Sequence, residues 1–262
     1  TSQDKAGTPT GRVVILAVGS ALLLGGLGME AIWIGLIIAT LGMLIALPAF
    51  IRLTPPGTLA ARPRLPAAVI IRGVLTFGFF AADTFIALSL TSVRGESTIY
   101  AGVVLIFSTI TWTAGSWLQA KYGRRMGGGK MVGLGGSAQA IGALILAAAL
   151  SSVVPVWFWI LGSAIMGLGM GMAYTMLSVV TLDEAALGSE GEASSALQMS
   201  DILGVALGTG LAGVMVSLGD RMTLDPWVAL AAVFVMSALM GAAVLALSPR
   251  LSRPVAVPGV VN

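Results

Sequence analysis

The chain has 262 residues, with 14 Lys or Arg, 11 Asp or Glu, no His and no Cys, and its charged fraction is 10% against about 25% in ordinary soluble domains. That supply of charge is too small to cover the water-facing surface of a soluble fold of this size, so a water-soluble globular protein is excluded. The missing His and Cys exclude thiolate, disulfide and zinc-thiolate chemistry and remove the commonest general base, while a net charge of +3 is too small to indicate nucleic acid.

A spanning helix needs about 20 predominantly apolar residues. Residues 1–12 are polar and no short cleavable apolar segment follows, so no signal peptide is expected; without an initiator Met, the chain is expected to start inside a longer one. The charge-free runs 13–29 and 31–51 predict the first two spans. A Pro/Gly/Arg loop follows, from Arg52 through Pro55-Pro56-Gly57 to Arg64 and Pro66, and reads as a boundary. Residues 67–90 form a third span whose only charges are Arg72 and Asp83, and 97–120 form a fourth. The run 131–182 has 52 residues, which as one helix would reach about 78 Å. Ser151-Ser152-Val153-Val154-Pro155 near its middle predicts a tight helical hairpin. Residues 202–219 and 226–249 complete eight spans, an all-α integral membrane protein. The six helices after the boundary loop divide at the Ser151–Pro155 turn into three plus three, the arrangement of inverted repeats.

Lys and Arg set the orientation. Eleven lie in loops on the side of the N-terminus: Lys5 and Arg12; Arg52, Arg62 and Arg64; Lys121, Arg124, Arg125 and Lys130; Arg250 and Arg253. The opposite loops carry Arg94 and Arg221, and Arg72 sits in a helix end. Both termini are therefore expected to be cytoplasmic. The loop 181–196 is expected on the same side although it carries acids only, because acids contribute little to the rule.

The stretch Ser116-Trp117-Leu118-Gln119-Ala120-Lys121-Tyr122-Gly123-Arg124-Arg125 reads as a short cytoplasmic connection. It resembles the G-x-L-a-D-r-x-G-r-r loop of major facilitator superfamily transporters. Ser116 stands at the first glycine, Leu118 at the leucine, Lys121 at the first basic position, Gly123 at the second glycine, and Arg124 and Arg125 at the basic pair. Ala120 replaces the acid that helps hold the cytoplasmic gate in that family, a loss typical of the copy in the C-terminal half. The basic residues alone also read as an ordinary positive-inside loop. Gly167, Gly169 and Gly171, and Gly191 to Gln198 followed by Gly204 and Gly208, resemble the penultimate helix pair of drug:proton antiporters; such small residues let helices approach closely, which is also plain helix packing. The resemblance covers residues 67–250 and implies a six-helix major-facilitator half. Residues 1–66 then hold a helix pair and its cytoplasmic loop, and 251–262 a cytoplasmic tail. The pair is read as the extra central helices of the fourteen-helix branch, or as the fifth and sixth helices of a twelve-helix transporter.

Charged groups inside a bilayer are costly and are default functional candidates. Asp83 reads as a proton carrier or attractor of a cationic substrate, or as a hydrogen-bonded structural acid. Arg72, three turns earlier on the same face, is expected to snorkel to the headgroups. Asp201 with Gln198 is expected at the cytoplasmic start of its helix, where an acid satisfies first-turn N–H groups. Tyr174, Gln139 and Trp112 are candidates to line a cavity, or to serve in interhelical bonding and packing. Phe77, Phe79 and Phe80 form an aromatic cluster one turn from Asp83, suited to a drug cavity or to lipid. The resemblance implies proton-coupled efflux of a small hydrophobic or cationic compound across the cell membrane, by a transporter whose N-terminal half lies outside this chain. Its expected partners are lipid, substrate and protons, with no cofactor, metal or nucleic acid and no enzymatic reaction. A membrane subunit without transport activity, or a truncated remnant, is the alternative reading.

Overall fold

The computed structural model describes residues 9–252. Lys5, Arg253 and the expected tail beyond residue 252 lie outside the described residues, as do the first eight residues. Every regular element among the described residues is helical: α1 (Pro9–Leu27), α2 (Ile32–Leu53), α3 (Leu65–Ser92), α4 (Thr98–Met126), α5 (Gly128–Ala149), α6 (Phe158–Glu184), α7 (Glu190–Arg221) and α8 (Pro226–Leu247), with a closing 3₁₀ turn at Ser248–Leu251. Seven of them are long and apolar enough to cross a membrane, and α1 supplies a shorter apolar stretch, Gly11–Leu27. The chain is an all-α integral membrane protein.

A helix stands at each of the eight expected spans, but two helices run well past their apolar stretches. α4 continues through the whole motif to Met126, so Ser116 to Arg125 is helix and not loop. Its connection to α5 is the single residue Gly127, whose φ of +79° is a left-handed conformation that disfavours side chains. α7 begins at Glu190, twelve residues before the apolar run. The expected hairpin at Ser151–Pro155 is the turn between α5 and α6. Trp159 closes it by donating its indole N–H to the Ala149 carbonyl (3.1 Å), and Arg94 donates to the Ser151 and Val154 carbonyls.

The six helices α3 to α8 form one body around α3 and α6. α3 packs on α7 and α8, α6 packs on α4 and α5, α5 packs on α8, and α3 touches α6. Exchanging α3, α4, α5 for α6, α7, α8 turns the α3–α7 and α3–α8 pairings into α6–α4 and α6–α5 and leaves α5–α8 and α3–α6 unchanged. Three is an odd number of crossings, so the two triplets enter the membrane from opposite sides, as an inverted repeat requires.

The hairpin α1–α2 lies outside this symmetry and meets the body through α7. Leu16, Ala46 and Ala49 pack there with Phe50, Leu53, Met199 and Leu203. Polar contacts pin both ends. Arg221 donates to the Met29 and Gly28 carbonyls (2.8 and 2.7 Å). At the other end Arg250 donates to the carbonyls of Ala60 and Ala61 (2.7 and 2.9 Å), and Arg64 pairs with Glu184 at 3.5 Å.

Candidate functional site in the membrane interior

Close helix packing sets the backbone of the site. Gly167 and Gly171, one turn apart on α6, lie against α4 at Ser108 and Trp112, whereas Gly169 faces α5 at Gly135. Gly204 and Gly208 on α7 lie against α3 at Gly73 and Phe77. In each case a Cβ would collide with backbone of the facing helix, so these glycines hold α4 on α6 and α7 on α3 at the shortest separation.

That packing brings side chains of α3, α4, α6 and α7 into one connected cluster. Arg72 is only 2% exposed, and its guanidinium carbon lies 3.4 Å from the centre of the Tyr174 ring. Its Nη2 donates to Ser178 Oγ at 2.5 Å, while Nε and Nη1 are buried with no partner. Tyr174 Oη donates to Asp201 Oδ2 at 2.9 Å. Thr76 donates to the Asp201 backbone carbonyl at 3.3 Å. One tyrosine therefore carries a buried cation on its face and a carboxylate on its hydroxyl, and electrostatic attraction acts across the ring.

An aromatic group adjoins this pair. Trp112 lies 5.6 Å from Tyr174, 5.3 Å from Phe79 and 6.4 Å from Phe80, centre to centre, with the phenylalanines edge-on to the indole. Asp83 follows one turn after Phe79 and Phe80. It is half-buried, and no hydrogen bond or ion pair joins it to another described residue. At 1.5 Å per residue it sits about 27 Å from the start of α3 and about 13 Å from its end.

Several expectations are corrected. Arg72 does not snorkel; it is buried against Tyr174, since the ring face and Ser178 offer it contacts inside the body. Asp201 is not in a first helical turn: it lies eleven residues into α7, too deep to cap that helix, and Tyr174 is its side-chain partner. Gln198 is exposed and makes no bond to Asp201. Phe79 is buried at 2% and faces protein rather than lipid. Phe77 leaves the aromatic cluster and lines the groove beneath the α1–α2 hairpin. Gln139 is fully buried with its amide unpartnered, beside Gly78 where α3 meets α5 and α8.

In the motif segment, Gly123 is buried against Gln119, and Ser116 accepts a hydrogen bond from Thr175 of α6 (3.0 Å). Leu118 is half-buried, and Lys121, Arg124 and Arg125 are exposed. Ser178 and Thr76 escaped the sequence reading. Each lies four residues after a cluster member, Tyr174 or Arg72, and that one-turn spacing of polar residues in an apolar helix is the signal that marks them. Among the described residues no group of three or more His, Cys, Asp or Glu is placed to hold a metal. Comparison with protein-family models and with curated proteins finds no match to this chain.

Proposed function

We propose that the chain is the C-terminal portion of a major facilitator transporter resembling drug:proton antiporters. It would export a small hydrophobic or cationic compound from the cell by alternating access, with both termini cytoplasmic and the cavity completed by an N-terminal half. The observation that carries this reading is the convergence of Arg72, Tyr174 and Asp201 with the Phe79–Phe80–Trp112 group from four helices inside the spans, with Asp83 one turn further along α3. Charges held within a bilayer mark pathways for ions and substrates. The aromatic faces beside an unpaired carboxylate suit a lipophilic cation, and Asp83 is the group assigned to proton coupling. The three-plus-three packing further supports alternating access.

A second reading, a membrane subunit without transport, is favoured by Ala120. It lies exposed on α4 where the motif's gating acid would stand. Proteoliposomes separate the two. With the N-terminal half supplied, a proton gradient is expected to drive efflux, and Asp83→Asn is expected to abolish it without loss of folded protein. Wild-type efflux in that variant removes the coupling role, and no flux from the completed transporter favours the subunit reading.

A further inference from the structure

On the far side of the α3–α8 body from the Tyr174 cluster, α5 and the end of α8 enclose a cleft of about 510 Å³, within the range of small-molecule sites. Lys130, in the first turn of α5, lines it with Gly133 and Leu134 one turn further along that helix, and Leu245, Ser248 and Ser252 line it from the end of α8 and the turn that follows. Gly133 lets Ser248 pack closely against α5, since a Cβ there would come within 2.7 Å of Ser248 Oγ.

The surroundings are cationic. Lys121, Arg124, Arg125 and Lys130 form no ion pair among the described residues, and the sequence holds no acid between Glu96 and Asp183. Their depth is marked independently, because Lys121 Nζ lies 4.8 Å from the ring centre of Trp117 and 5.3 Å from that of Tyr122. Exposed Trp and Tyr with Lys are the side chains that settle at headgroup level. The Lys130 end of the cleft therefore lies at the headgroups, and Leu134 and Leu245 extend it toward the acyl region.

We propose that this cleft binds one anionic phospholipid, its phosphate on Lys130 and the Ser252 hydroxyl and one acyl chain along Leu134 and Leu245. A free phosphate would leave the apolar wall unfilled, and a zwitterionic headgroup would bring its own cation against Lys130, close in sequence to Lys121, Arg124 and Arg125. Basic pockets between transmembrane helices are suited to such headgroups.

The test is native mass spectrometry of the purified chain in mild detergent with equimolar phosphatidylglycerol and phosphatidylcholine. The wild type is expected to retain phosphatidylglycerol preferentially. Lys130→Gln should lower that preference about fivefold, the worth of one lysine at an anionic surface. Leu134→Trp, which fills the cleft, should reduce retention of the lipid, while Lys121→Gln, equal in charge but outside the cleft, should leave it unchanged. Wild-type preference in Lys130→Gln overturns the proposal. So does an equal loss in Lys121→Gln, which would mean general surface attraction. Displacement by glycerol phosphate at lipid-like concentrations overturns it in favour of an anion site without a chain. Lys130 is exposed, so the first comparison does not depend on tolerance of a core substitution.

Discussion

At the scale of single residues, the cluster is a problem of two buried charges with one tyrosine between them. In a bilayer neither Arg72 nor Asp201 can be left alone, since an isolated charge costs several kcal/mol. Removing one leaves the other uncompensated. Arg72→Met and Asp201→Asn are each expected to destabilise the protein by about 2–4 kcal/mol, somewhat below or within the range for a contacting buried pair because the ring separates them. The double variant should lose clearly less than the sum, as measured by denaturant unfolding of the purified protein in detergent. Additive losses would mean that the two charges do not compensate each other. Tyr174→Phe keeps the ring beneath Arg72 but leaves Asp201 Oδ2 without its donor, so a smaller loss of about 1–3 kcal/mol is expected there. None of this pairing is legible in the sequence, because Arg72 and Tyr174 lie about a hundred positions apart and only the packing of α3 against α6 and α7 joins them. Asp83 was legible, because a lone acid in an apolar run is conspicuous whatever surrounds it.

At the scale of elements, scarcity of charge located every span, the third in spite of Arg72 and Asp83, and misplaced two helix ends. A charge shows where the apolar stretch stops, but the backbone goes on forming hydrogen bonds in the headgroup region as long as no residue breaks it. α4 therefore runs on through Lys121 and Arg125 until Gly127, and α7 starts at Glu190, which put Asp201 inside a helix instead of at its cap. The glycines were legible by spacing, but which helix each one meets was not. Their contacts predict two classes of substitution. Gly171→Ala would place a Cβ against the Trp112 backbone carbonyl and is expected to destabilise by about 1–3 kcal/mol through forced separation of α4 and α6. Gly213→Ala on α7 meets open space and is expected to be neutral or to stabilise by about 0.5–1 kcal/mol. Thermal unfolding in detergent distinguishes them, and equal midpoints for the two variants would show that close contact at Gly171 is not what positions α6.

At the scale of the whole molecule, the body and the hairpin are held by different physics. Within the body, glycine contacts and the Arg72 cluster bind helices to one another through groups that lipid cannot replace. The count of six spans after the boundary loop suggested three plus three, and the exchange of pairings between the triplets gives that count a structural basis. The seam between hairpin and body is different: Leu16, Ala46 and Phe50 meet Met199 and Leu203 through apolar surface that acyl chains would cover equally well, so burial there yields little net driving force. What then fixes the hairpin is polar. Arg221 satisfies the Gly28 and Met29 carbonyls in the turn just past α1, and Arg250 ties down the loop before α3. Because the chain has no Cys, spin labels can be placed at will, for example at Trp33 on α2 and Val235 on α8, both exposed. In lipid nanodiscs the distance distribution between them is expected to be narrow in the parent and to broaden in Arg221→Ala, and further when Arg250→Ala is added. An unchanged distribution in the double variant would mean that the apolar seam alone holds the hairpin, against the expectation that lipid competes for it.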